Sequence, residues 1–220
     1  MRRGESIASS LQHLVYYPEE VKENYPTVVA MHGRGTDAYD LIPLVESLGF
    51  DMLLLIAPRA PLLFEVGGGY AWYDFGGEGT PDPSSFGDSL KLLQEFLVQI
   101  RKGYPIGPTG PILLGFSQGA VMSYAAALLD PTKIRGIVAL SGYIPNRSNL
   151  PFKWHELKGV PVFISHGAYD ELIPIKLGKE SADLLRNAGA NVTFREYTMG
   201  HQVTEDVLRE LTLWMREVLR

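Results

Sequence analysis

Leu114-Gly115-Phe116-Ser117-Gln118-Gly119-Ala120 is the stretch whose reading decides the fold. An apolar run, Pro111 to Phe116, leads into it, and a segment rich in small residues, Ala120 to Leu129, leaves it as a predicted helix. Within it lies Gly115-Phe116-Ser117-Gln118-Gly119, a G-x-S-x-G pattern. Between a strand and a helix this pattern makes a nucleophile elbow, a sharp turn that exposes a serine hydroxyl. Glycines flanking the serine let the two backbones approach closely. The competing reading is a glycine-rich turn with an incidental serine. The flanking strand and helix favour a nucleophile.

Working outward, strands and helices alternate. Residues 11–17 predict an early strand, and Thr27 to His32 predicts a short strand buried on both faces, as in parallel sheets. Asp40 to Leu48 predicts a helix and Met52 to Ala57 another buried strand. A long irregular stretch follows from about Arg59 to Phe86, rich in Gly, Pro and aromatics; loops of this length are often functional. Ser89 to Arg101 carries Leu93, Phe96, Leu97 and Ile100 at helical spacing. Further strands are predicted at Ile134 to Leu140, Val160 to Ser165 and Val192 to Tyr197, and helices at Pro174 to Ala188 and Thr204 to Leu219. The expectation is one α/β domain over residues 1–220, with a mostly parallel sheet covered by helices on both faces. Ligands of such sheets bind beyond the carboxyl ends of the strands, so chemistry is sought in the loops there.

Composition narrows the classes. With 220 residues, 45% apolar and 20% charged, the chain has enough material for one sizeable core. A net charge of -5 without a basic block argues against nucleic acid. Having no cysteine excludes a thiol nucleophile and Cys-ligated metal. No apolar segment follows the first residues and none is long enough to span a membrane, so the expected setting is cytoplasmic.

A serine hydroxyl needs a base, usually histidine. Of the five histidines, His13 lies inside the early strand and His155 in a polar loop. His32 and His166 each end a strand as His-Gly and are expected to shape those turns through hydrogen bonds. His201 falls between the last strand and the last helix, where the order Ser…Asp…His places the base. The acid that orients it is expected after the preceding strand. Asp170 stands there, with the adjacent Glu171 as a competitor; Asp206 suits a helix N-terminus instead. An oxyanion hole needs two backbone N–H donors. Gln118 supplies one as the residue after the nucleophile, and Arg34, in His32-Gly33-Arg34-Gly35, the other. The Arg34 side chain is free either to attract a carboxylate or phosphate or to be solvated.

These residues together resemble the phospholipase/carboxylesterase family of α/β-hydrolases, small carboxylesterases and acyl-protein thioesterases. The motifs span most of the chain: His32-Gly33-x-Gly35, Ala71-Trp72-Tyr73-Asp74, Gly115 to Ala120, Leu140-Ser141-Gly142-Tyr143, His166-Gly167-x-x-Asp170-x-x-x-Pro174 and Gly200-His201. The resemblance implies an α/β-hydrolase fold without a large cap domain. It implies hydrolysis of an ester or acyl thioester through Ser117, His201 and Asp170, with no metal or cofactor. Short or medium acyl chains are expected against Leu63, Trp72, Tyr73 and Tyr143, though Leu62, Leu63 and Phe64 read equally well as residues that tuck the loop down. Two departures bear on substrate: Arg34 stands where family members that deacylate proteins often have leucine, and Gly67-Gly68-Gly69 suggests a mobile loop. Exposed apolar loops leave a homodimer open. A non-catalytic small-molecule receptor on the same scaffold is the rival reading, disfavoured by the complete nucleophile, base and acid.

Overall fold

The computed structural model describes residues 1–65, 67–76, 80–146 and 148–220. Of the irregular stretch 59–86, residues 66 and 77–79 lie outside the described residues. In chain order the elements are β1 (Arg2–Arg3), β2 (His13–Tyr17), β3 (Thr27–Met31), α1 (Ile42–Ser47), β4 (Leu54–Pro58), β5 (Leu62–Leu63), β6 (Tyr70–Ala71) and α2 (Pro83–Gly103). Then follow β7 (Ile112–Phe116), α3 (Gln118–Leu129), β8 (Gly136–Leu140), β9 (Pro161–Gly167), α4 (Ile175–Asn187), β10 (Asn191–Tyr197) and α5 (Glu205–Val218).

Eight strands form one sheet in the order β1-β2-β4-β3-β7-β8-β9-β10. Every neighbouring pair from β4 to β10 is parallel, while β1 and β2 pair antiparallel at one edge. The central strands are buried along their whole length, as their continuous apolar runs predict. Their side chains alternate between two cores. Val29, Met31, Ile56, Leu113, Ile137 and Ile164 face the layer of α2, α3 and α4. Val28, Ala30, Leu55, Leu114, Val138 and Phe163 face α1 and α5.

Position in these layers explains each helix's composition. α3 is buried on all sides and is built almost wholly from small and apolar residues. α5 is amphipathic, burying Val207, Leu211, Trp214 and Met215 and turning its charges outward. α2 begins six residues before the predicted Ser89, at Pro83. Its start is set by Asp82, whose carboxylate accepts the Ser85 N–H at 2.9 Å, with Pro83 at the first helical position. The irregular stretch also holds the hairpin β5–β6, in which Leu62 pairs with Ala71 and Leu63 with Tyr70. Its glycines are used rather than slack: Gly67, Gly68 and Gly69 all have positive φ. The chain turns so tightly that a Cβ on Gly69 would lie 2.4 Å from the Gly35 carbonyl oxygen. The hairpin therefore rests directly on the 33–36 turn, held by Gly35 N–H to the Tyr70 carbonyl and Tyr70 N–H to the Thr36 carbonyl, both 2.8 Å.

Candidate active site

β7 delivers Ser117 to the carboxyl edge of the sheet, and α3 begins at the next residue. Ser117 has φ 55 and ψ -121, a backbone state that non-glycine residues rarely adopt. The turn is held by Ser117 N–H to the Leu140 carbonyl at 2.9 Å and by the Ser117 carbonyl, which accepts from Ala120 N–H at 2.9 Å. The flanking glycines are required by contact. A Cβ on Gly115 would lie 2.2 Å from the Gly119 carbonyl oxygen, and one on Gly119 would lie 2.0 Å from the Met31 carbonyl oxygen.

At the next strands along the sheet, His201 and Asp170 meet. His201 Nδ1 lies 2.7 Å from Asp170 Oδ2. Asp170 is 6% exposed, and its other oxygen, Oδ1, accepts the N–H groups of Leu172 at 3.0 Å and Ile173 at 2.8 Å. The competitor Glu171 is exposed to solvent. A carboxylate can only accept, so the His201 proton sits on Nδ1 and the Nε2 lone pair is left free. The Phe116 ring, adjacent to Ser117 in sequence, lies against the His201 ring with centroids 4.9 Å apart. Phe116 thus joins the elbow to His201 through packing.

His166 supports this pair from below. It is fully buried, and its Nε2 donates to the Ile173 carbonyl at 2.8 Å and lies 3.6 Å from Asp170 Oδ2. Burial holds its pKa below the usual histidine range, so the ring stays neutral. His32 holds the turn after β3. Its Nδ1 donates to the Gly33 carbonyl at 2.7 Å and its Nε2 accepts the Ala60 N–H at 3.0 Å. Burial lowers its pKa too. Both His-Gly pairs shape their turns, as expected from their places at strand ends.

The 33–36 turn passes beside the elbow: a Cβ on Gly33 would sit 3.6 Å from the Ser117 Cβ. Among the described residues, neither the Arg34 nor the Gln118 N–H donates to a backbone carbonyl. For Gln118 this follows from its place at the first turn of α3, where N–H groups have no intrahelical partner. The Gln118 side chain has a use the sequence alone does not disclose. Its Oε1 accepts the Trp72 N–H at 3.0 Å and its Nε2 donates to the Tyr73 carbonyl at 2.8 Å.

The sequence profile of the family described as Phospholipase/Carboxylesterase matches residues 16–219. The chain belongs to this family. It is 30% identical over 211 residues to an acyl-protein thioesterase 1 of Candida albicans, covering 87% of this chain and 91% of that one. Among solved structures it superposes on the Bacillus cereus carboxylesterase with a TM-score of 0.83 at 26% identity, covering 94% of each chain. It superposes on esterase PE8 with a TM-score of 0.84 at 27% identity, covering 94% of this chain and 99% of that one. The chain is accordingly an α/β-hydrolase of the carboxylesterase and acyl-thioesterase type, and no cap domain is evident among the described residues.

Two residues expected to contact substrate, Trp72 and Tyr73, lie buried. Trp72 and Tyr73 are 0% and 1% exposed, so neither forms an open wall of an acyl pocket. Trp72 Nε1 donates to the His32 carbonyl at 2.9 Å, and both residues are pinned at their backbones by Gln118. An indole and a phenol carry large apolar area, and here that area anchors the loop to the sheet. Leu63, 67% exposed, and Tyr143, half-buried, remain at the surface. Leu62 and Phe64 are partly buried, as loop-tucking residues would be.

Proposed function

We propose that Ser117, His201 and Asp170 act as one catalytic triad that hydrolyses a carboxylic ester or an acyl thioester through an acyl-enzyme. The 2.7 Å contact between His201 Nδ1 and the buried Asp170 carboxylate carries this reading, because it fixes the proton on Nδ1 and leaves the Nε2 lone pair free to accept one. His201 takes the Ser117 proton as the oxygen attacks the carbonyl carbon. The Arg34 and Gln118 amides hold the negative charge that develops on the carbonyl oxygen. His201 then protonates the leaving alcohol or thiol, and water repeats the sequence on the acylated serine. Asp170 stays ionised throughout and stabilises the imidazolium, helped by two backbone N–H donors on its other oxygen. Leu63 and Tyr143, accessible at the rim, are assigned to contact an acyl chain of short to medium length.

Turnover of a p-nitrophenyl ester and labelling by a fluorophosphonate test the assignment together. Ser117→Ala is expected to abolish labelling and to lower kcat about 10⁴-fold or more. Labelled, active Ser117→Ala protein would move the nucleophile elsewhere.

A further inference from the structure

The arginines of this chain are used in two different ways. Arg101 donates to the Lys133 carbonyl and Arg135 to the Val218 carbonyl, while Arg186, Arg195 and Arg209 pair with Asp183, Glu210 and Asp206. Their N–H groups are engaged by the fold. Arg34 differs. Its guanidinium carbon lies 4.4 Å from the centroid of the Phe64 ring and 4.8 Å from that of Phe75, and the residue is exposed. Among the described residues no carboxylate lies within pairing distance of it. Arg59, at the other end of the same hairpin, lies 4.1 Å over the Tyr70 ring.

Stacking holds a guanidinium by its faces and leaves its N–H donors, which lie in the plane, unused. A long, mobile side chain is thereby fixed in advance, so a ligand meets an oriented fork rather than a flexible one. Phe64 is itself seated on the 33–36 turn, since a Cβ on Gly35 would lie 3.2 Å from its ring. The fork stands one residue beyond Gly33, whose Cβ position is 3.6 Å from that of Ser117. The nearby acids do not neutralise it by contact: Asp37 Oδ1 accepts the Tyr39 N–H and Asp40 Oδ2 accepts the Thr36 hydroxyl. Arg34 therefore keeps its donors open to solvent without a carboxylate partner among the described residues.

We propose that the Arg34 side chain, stacked over Phe64 and Phe75 beside the Ser117 elbow, selects substrates that carry a carboxylate or phosphate close to the scissile carbonyl. The inference rests on Ser117 being the nucleophile, and it names the substrate class of that site: esters or thioesters with an anionic acyl or leaving group. A planar fork suits such an anion in a two-point contact, which lysine could not reproduce.

Two matched pairs of substrates test it. Mono-p-nitrophenyl succinate against p-nitrophenyl butyrate places the anion on the acyl side. S-butyryl-3-mercaptopropionate against its neutral amide places it on the leaving side. In the wild type, kcat/KM is expected to favour the anionic member of at least one pair by about tenfold or more at low salt, shrinking as salt is raised. Arg34→Gln should collapse that ratio towards one, Arg34→Lys should keep part of it, and Phe64→Leu should lower it by freeing the fork. Turnover of the neutral members reads the hydrolase assignment by itself. A wild type that hydrolyses them without preferring either anion, or an Arg34→Gln variant that keeps the preference, overturns the inference and leaves the triad standing. Absence of turnover with every ester and thioester, with no fluorophosphonate label on Ser117, overturns the hydrolase reading and this inference with it.

Discussion

The carboxyl edge of the sheet has two halves built on opposite plans. On the β9–β10 side, the polar groups around Asp170 are buried and bonded to one another: His201, the Leu172 and Ile173 amides, and His166 through the Ile173 carbonyl. On the β3–β4 side, the rim carries the stacked Arg34, the exposed Leu63 and Phe75, and the Arg34 amide without a backbone acceptor among the described residues. Groups that must keep one protonation state and one orientation are satisfied from within the protein. The β3–β4 rim keeps donors and apolar surface open. Under the function proposed above, the difference separates the chemistry of the bond from the choice of molecule.

The largest test of that division is Asp170→Asn. An amide at this position would favour the wrong tautomer of His201, and kcat is expected to fall about 10⁴-fold. Glu171→Gln, on the exposed neighbour, should stay within a few fold in steady-state kinetics on the same ester. A larger loss at Glu171 than at Asp170 would reassign the acid and break the contrast between a buried acid and an open rim.

Next in size is Gln118, whose side chain ties the elbow to the opposite half. Gln118→Leu leaves the buried Trp72 N–H and Tyr73 carbonyl without their partner, at about 1–3 kcal/mol for each stranded group. Urea unfolding should show that loss with an unchanged slope. An unaltered midpoint would mean that the Trp72–Tyr73 segment does not depend on the elbow.

The smallest effect is shared by both halves, since each contains a neutral buried histidine. His32 and His166, and His13 in β2, have pKa values lowered mainly by burial. The unfolded chain therefore binds protons from about pH 6.5 downward while the folded chain resists them. Stability from these groups is complete above that pH and falls as pH drops through the unfolded value towards the folded ones. Thermal scans at pH 7.5, 6.5 and 5.5 should show Tm decreasing with acidity. A flat Tm would indicate that the buried imidazoles accept protons without cost.

Particular residues show what could be read early. The central strands are legible because strands covered on both faces need uninterrupted apolar runs, and Val28 to Met31 or Leu54 to Ala57 allow little else. The elbow is legible because the close approach of α3 to β7 and to the end of β3 leaves no room for a side chain at Gly115 or Gly119. The start of α2 was equally available in Asp82-Pro83, a capping residue followed by proline, although apolar spacing alone begins only near Ser89. The burial of Trp72 and Tyr73 is not legible, because an aromatic in a long loop carries no sign of which way it faces.

The amino-acid sequence by itself determined the alternation of strands and helices, the elbow, and the order in which Ser117, Asp170 and His201 follow one another. Those depend on local geometry and on periodicity, which neighbouring residues encode. Only the tertiary structure decided that Asp170 rather than Glu171 reaches His201, that Gln118 holds the loop bearing Trp72 and Tyr73, and that Arg34 stacks over Phe64 and Phe75. Each of these joins residues tens of positions apart, and their meeting is fixed by sheet order and packing, which no single stretch of chain contains.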